Sequence, residues 1–407
     1  MATVENGGIT MSDEPSKPES DPEACYPIGS ASHAAVPPTS SLSSTSFDRL
    51  LSTMLARQAT DLHIQVGSAP AMRIEARLRN VEAPAITDEQ AQAFAESVLD
   101  PVRRRDLDRL GSCDLAFTFG DSRLRVNIFR QQGHLAMAIR RLNLTIPTIE
   151  DLHLPAELGR ITKAQRGLVL VSGTTSSGKS TTLAAMIGQI NRTRKERIIT
   201  VEDPIEYIHT GDRSLIAQVE IGADSPSYTH AIRQVLRQDP DVILIGELRD
   251  PEAIQVAVRA ADTGHLVFAA VHAGDAVQTI ERIIAMFGPE EHSLLLTQLS
   301  MNLQAVICLR LARATRRSGG GLVPIVEILR GTPVVRKCVL DGRYEAIRQA
   351  MTNRDNEMQT FDQHLAGLYK AKRISGAEAL RTSTNPEALA MMLRGITTRD
   401  TQRGLVR

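Results

Sequence analysis

Tryptophan is absent from the 407 residues, and aromatic side chains make up only 3% of them. Surfaces that bind sugars or single-stranded nucleic acid rely on stacking rings, so this scarcity argues against both ligand classes. An excess of charge is also missing: 47 basic residues balance 47 acidic ones. That balance argues against a generally basic nucleic-acid binder, and no direct nucleic-acid contact is expected. Cysteines are few, and Cys25, Cys113, Cys308 and Cys338 never form a CxxC pair. They suit a reducing cytosol and provide neither a disulfide framework nor a zinc ribbon. The longest apolar runs, such as Leu266–Val271, fall far short of the ~20 residues that cross a bilayer. The N-terminus carries no basic-then-apolar signal pattern. Together these absences predict a cytoplasmic protein.

What is present suits a globular chain. Apolar residues reach 42% and charged residues 23%, enough for a sizeable core in two or three domains. Residues 1–46 stand apart, with ten Ser, six Pro and six acidic residues against one Lys. Such a stretch cannot bury enough surface to offset its ordering entropy and reads as a disordered tail. Without it, 46 basic residues face 41 acidic ones, a mild positive surplus.

From 47 to 142 the pattern predicts a small α+β domain. Phe47, Leu50, Leu51, Met54 and Leu55 repeat at helical spacing, while Leu62, Ile64 and Val66 alternate like a strand, as do Met72 and Ile74. Thr87 and Gln90 form a capping-box pattern. Further strands are expected around 115–119, 124–129 and 135–139, giving a mixed sheet packed on one side. Residues 143–166, with Pro147 and Pro155, read as a linker containing a short helix. From 167 to 395 buried strands alternate with helices. The strands 168–172, 198–202, 242–246 and 266–271 predict a parallel sheet covered on both faces. After about Ile283 the chain reads as mostly helical apart from a strand near 322–329, and 396–407 as a flexible end.

Gly173-Thr174-Thr175-Ser176-Ser177-Gly178-Lys179-Ser180 fits GxxxxGK[ST] between a predicted strand and a helix that begins at Thr181. Glycines allow backbone N–H groups to curl round phosphates, and the helix N-terminus adds positive potential. Lys179 should reach the β- and γ-phosphates of ATP, and Ser180 should hold Mg²⁺. Val242–Gly246 ends in Glu247, a carboxylate at the carboxyl end of a parallel strand, where it can polarise an attacking water. Glu202 and Asp203 end another strand, which is compatible with either an active-site acid or a helix N-cap. His265 and His272 bracket the strand 266–271 and point to nucleotide sensing, with a satisfied surface pair as the alternative. No HxxxH or CxxC spacing supports a transition-metal site.

The ordered set GTTSSGKSTTLAAMI, ITVEDPIEY, AIRQVLRQDPDVILIGELRD and TGHLVFAAVHAGDAVQTIERI resembles the secretion-ATPase superfamily. Within it, the chain is similar to the type IV pilus retraction ATPases of the PilT/PilU type. DLHIQVGSAPAMRI, RLRVNIFRQQGHLAMAIR and MQTFDQHLAGLYKAKRIS extend the resemblance across about 47–395. The resemblance implies an α/β fold in which a RecA-like P-loop ATPase domain follows a small α+β PAS-like domain. It further implies a homo-hexameric ATP-hydrolysing motor for pilus retraction and twitching motility, peripherally associated with the inner-membrane pilus base. Its partners would be the inner-membrane pilus platform protein and a paralogous retraction ATPase. In family terms, 173–180 is the Walker A loop, with Thr181 following, Glu202 lies in the Asp box, and Glu247 is the Walker B acid. His265 and His272 match the His box, and Arg233 and Arg237 the arginines before Walker B. Arg125 and Arg140 fall where the family places arginines that reach a neighbouring subunit's nucleotide.

The chain also departs from the family pattern. Ser176 replaces a usual Gly, the His box reads HAGDA, and Val334–Asp341 retains Arg336 of the retraction signature but has Leu340 in place of its second basic residue. Pilus-assembly and type II secretion ATPases carry a large extra N-terminal region and a tetracysteine insertion. Here about 100 folded residues precede the linker, and 309–321 reads as a short basic loop, which favours a retraction-type motor. A motor for a type IV secretion or DNA-uptake apparatus, and a nucleotide-binding accessory subunit with weak hydrolysis, remain alternatives.

Overall fold

The computed structural model describes residues 42–74, 77–142, 145–353 and 357–394; the readings for 1–41 and 396–407 lie outside them. The first helix, α1 (Leu42–Ala56), opens five residues before the expected boundary at 47, so 42–46 belong to it and not to a tail. Phe47, Leu51 and Met54 are buried along it, and that packing offsets the cost of nucleating a helix. Phe47 stacks on Phe94 with ring centroids 4.8 Å apart.

Strands β1 (Asp61–Gln65), β2 (Ala71–Ile74) and β3 (Arg77–Asn80) are followed by helices α2 (Asp88–Glu96) and α3 (Pro101–Leu110), then by β4 (Ser112–Phe119), β5 (Ser122–Gln131) and β6 (His134–Leu142). They form one sheet in the order β3-β2-β1-β6-β5-β4. Every neighbouring pair is antiparallel, which corrects the mixed sheet expected from the sequence. The reason is local. Two residues join β5 to β6, and Gln132 and Gly133 both have positive φ (52° and 87°), the backbone of a tight antiparallel hairpin. Leu124, Val126 and Ile128 of β5 are fully buried in the cluster that also holds Met54 of α1 and Phe94 of α2, while Arg123 and Arg125 alternate onto the opposite face. Thr87 and Gln90 complete the capping box of α2.

The chain then passes α4 (Glu157–Ile161) into β7 (Gly167–Gly173), α5 (Lys179–Thr193), β8 (Arg197–Glu202), β9 (Leu215–Glu220), α6 (Tyr228–Val235), β10 (Val242–Ile245), α7 (Pro251–Asp262) and β11 (Leu266–Val271). It continues through α8 (Ala276–Ala285), α9 (Pro289–Asn302), β12 (Leu303–Arg313), β13 (Leu322–Arg330), α10 (Pro333–Leu340), α11 (Tyr344–Thr352), α12 (Phe361–Lys370), α13 (Gly376–Thr382) and α14 (Pro386–Leu393). The second sheet runs β13-β12-β7-β11-β10-β8-β9, parallel except where β13 pairs with β12. Every residue of β7 and β11 is buried, as a parallel sheet covered on both faces requires.

Two strands escape the sequence reading. β12 begins directly at the end of α9, an extra strand within the mostly helical stretch after Ile283, and the loop expected over 309–321 is reduced to 314–321. β9 is a half-buried edge strand. The linker region also packs: Ile149, Leu154, Leu158 and Ile161 are buried in the cluster that includes Met186 and Ile190 of α5. Arg336 of α10 donates to the Leu303 carbonyl at 3.2 Å, fastening that helix to the start of β12. Among the described residues no helix is long and apolar enough to cross a membrane.

Candidate functional site

The carboxyl ends of the parallel strands β7, β8, β10 and β11 open into one cleft of about 610 Å³. Its floor is the loop between β7 and α5. Gly173 has φ 148°, and a Cβ there would lie 2.6 Å from the Leu309 carbonyl oxygen, so only glycine fits. Gly178 (φ 98°) turns the backbone into α5. Between them Ser176 also adopts a left-handed conformation, with φ 62°. Its exposed side chain has no packing to offset that conformation, which for an L-residue costs roughly 1 kcal/mol. Ser177 buries a hydroxyl with no hydrogen-bond partner among the described residues. Thr174, Thr175 and Ser180 are exposed at the loop's surface. Thr181 shares a 3.0 Å hydrogen bond with the Tyr207 hydroxyl.

Lys179 folds back over the loop. Its Nζ donates to the carbonyls of Gly173 and Thr174, both at 2.9 Å, and lies 3.4 Å from His272 Nδ1. Partial burial pulls its pKa below the ordinary value, while Glu247 and Glu206 oppose that shift. An ammonium turned onto neutral carbonyls gains far more from an anion than it loses in leaving them.

The side wall is a continuous charged chain. His272 Nε2 lies 2.8 Å from Glu247 Oε1, and Arg249 Nε donates to Glu247 Oε2 at 2.7 Å. Arg249 Nη1 continues to Asp203 at 3.3 Å. The carboxylate accepts, so His272 carries its proton on Nε2 and offers the Nδ1 lone pair to Lys179. Glu202 sits one strand away. It accepts from Thr200 Oγ1 at 2.7 Å and from Gln218 Nε2 at 3.2 Å. Desolvation nevertheless dominates and pushes its pKa up to about 7.

The last wall comes from the antiparallel sheet. Arg125 of β5 and Arg140 of β6 are direct cross-strand partners, and both line the cleft. Arg125 Nη1 lies 3.8 Å from Glu206, and Arg140 Nε donates to Asp61 at 2.9 Å. These arginines border the cleft of their own chain.

Three expected residues are not brought here. His265 starts β11, and its ring meets the Ala260 carbonyl at 2.9 Å near the end of α7. The six-residue strand separates it from His272 by roughly 20 Å. Arg233 is exposed and pairs with Glu252, and Arg237 is exposed just beyond α6. Conversely, Glu206, Tyr207, His209, Tyr228 and Arg249 line the cleft without having been singled out. The nearest signal for three of them is position, since Glu206 and Tyr207 follow Glu202 within one motif and Arg249 follows Glu247 by two.

Among the described residues, no group of three or more His, Cys, Asp or Glu could hold a metal alone. A cation here would draw on Ser180 with phosphate oxygens and water, the usual arrangement for Mg²⁺. The loop's positive-φ glycines, the unpartnered Ser177 hydroxyl and the Lys179 ammonium fit a polyphosphate.

A family model described as type II/IV secretion system protein matches residues 41–398. The type IV pilus ATPase PilU of Pseudomonas aeruginosa is 37% identical over 350 residues, covering 86% of this chain and 91% of that protein. The type IV pilus retraction ATPase PilT of the same organism is 36% identical over 340 residues, 83% of this chain and 98% of PilT. A crystal structure of the pilus retraction motor PilT with bound ADP superposes with a TM-score of 0.77 at 36% identity, covering 84% of this chain and 97% of that one.

Proposed function

The chain belongs to the type II/IV secretion system protein family, and on that premise we propose that it is an ATP-hydrolysing motor driving type IV pilus retraction. The observation that carries this reading is the line Lys179–His272–Glu247–Arg249 at the ends of adjacent parallel strands, beside a phosphate loop. Similarity across almost the full length of PilU and PilT supports the same duty. The motor works as a homo-hexamer in the cytoplasm, at the inner-membrane pilus base. Its platform protein and a paralogous retraction ATPase are its partners, and the six-stranded sheet serves as its PAS-like part.

In the proposed reaction the loop N–H groups and Lys179 bind the β- and γ-phosphates of ATP. Ser180 would hold Mg²⁺, which when bound would supply charge neutralisation at the phosphate oxygens. Glu247 is fixed by His272 and Arg249, and its remaining lone pairs orient a water toward the γ-phosphate. Glu202, whose pKa burial raises to about 7, is only partly ionised near neutral pH and acts in binding. Arg125 and Arg140 offset phosphate charge from the opposite wall of the same chain.

The test pairs a steady-state ATPase assay on the purified chain with pilus retraction in a strain lacking its gene. Hydrolysis that disappears in Lys179→Ala, with retraction lost in the deletion strain, is the expected outcome. An active ATPase whose loss leaves retraction intact contradicts the motor assignment.

A further inference from the structure

Glu220 ends the edge strand β9, yet only 5% of its surface is exposed. Its two oxygens hold three segments together. Oε1 accepts from Arg103 Nη2 of α3, and Oε2 accepts from Arg123 Nη2 of β5 at 3.4 Å. Oε2 also accepts the Ile205 backbone N–H at 3.2 Å, in the loop that follows Glu202 and Asp203. The side chains of Arg103 and Arg123 are only 13% and 14% exposed. One buried carboxylate therefore joins the antiparallel sheet to the cleft wall of the parallel one.

The pleat of β5 gives this junction a consequence. Arg123 and Arg125 share the face turned away from the small core, one pleat apart. A clamp at Arg123 thus sets the position of Arg125, which stands at the cleft beside Glu206. Two guanidiniums converge on the one anion. Arg103 also pairs with Asp100, whereas the other side-chain bond of Arg123 is to the neutral Thr118 hydroxyl. Neutralising Glu220 therefore takes from the enclosed Arg123 its bonded anion, which disfavours the closed contact. Burial already works against the charge of Arg123, and Glu220 is the first group that opposes this.

We infer that Glu220 is a positioning residue, latching the six-stranded sheet onto the 203–207 loop and so holding Arg125 over the bound phosphates. This rests on the nucleotide site proposed above. In the nucleotide-free full chain, Glu220→Gln should speed hydrogen exchange in 203–207 and in β5 while leaving β7 and α5 unchanged. The KM for Mg-ATP should rise roughly tenfold. Because the effect runs through Arg125, Glu220→Gln combined with Arg125→Gln should be no worse than Arg125→Gln alone. Losses that multiply in the double variant, or looser exchange with an unchanged KM, would overturn the inference. If Glu220→Gln does not fold, Arg123→Gln removes one cation and keeps the anion, and the same comparison with Arg125→Gln decides. Nucleotide binding that survives Lys179→Ala would instead sink the functional reading. The exchange measurement, made without nucleotide, still decides whether the latch exists.

Discussion

His272 Nε2 lies 2.8 Å from Glu247 Oε1, across two neighbouring parallel strands. The same ring receives Lys179 on its other nitrogen, so one imidazole fixes the orientation of the acid relative to the Lys179 ammonium. His272→Ala should lower kcat by about 10- to 100-fold, the usual cost of a misplaced catalytic group, with KM changed only a few-fold. His272→Gln, which can still donate to Glu247, should recover part of the loss. Steady-state kinetics on the two variants would reject the arrangement if both matched the parent.

Ser176 tests the loop backbone. Gly at this position removes the left-handed strain but adds unfolded-state entropy of roughly 0.4–1 kcal/mol, so the two effects nearly cancel. Ser176→Gly should therefore unfold within about 0.5 kcal/mol of the parent. Ser176→Val, β-branched and exposed, should lose about 1–2 kcal/mol with no core contact to blame. Equal stability of the Val and Gly variants in denaturant titrations would mean that φ is not positive there.

Glu202 predicts a pH dependence with a definite sign. Its pKa of about 7 in the folded chain exceeds the ordinary 4.5, so the folded state holds this proton more tightly than the unfolded state. Its contribution is fully present below about pH 4.5 and is lost as pH rises through about 7. Glu202→Gln removes that loss and should be more stable than the parent by roughly 1–3 kcal/mol above pH 7. The advantage should vanish near pH 4.5. Parallel stability profiles from pH 4 to 8 would show that Glu202 ionises normally.

The phosphate loop and the four central strands were legible because glycine spacing and unbroken apolar runs are local signals. β12 was not, because Leu303 both caps α9 and begins the strand, with no Gly or Pro to mark the change. β9 was missed because an edge strand buries too little to show alternation. His265 and His272 looked equivalent in sequence, yet a strand separates its two ends, and only His272 lies at the phosphate end. Arg125 and Arg140 are reached from sequence only through the family resemblance, whereas their shared wall depends on the pairing of β5 with β6. Arg103, Arg123 and Glu220 carried no sequence signal at all, since residues about 100 positions apart meet only through the fold.

The central claim is that Glu247, and not Glu202, orients the attacking water. Gln at 247 keeps the shape and loses the carboxylate charge, so the loss should fall on the chemical step. Single-turnover hydrolysis of Mg-ATP by Glu247→Gln and Glu202→Gln measures this most directly. Glu247→Gln should bind nucleotide within about threefold of the parent and hydrolyse it about 10²–10⁴-fold more slowly. Glu202→Gln should alter binding more than the maximal rate. A Glu247→Gln chain that keeps most of its single-turnover rate, beside a Glu202→Gln chain that has lost it, would contradict the account.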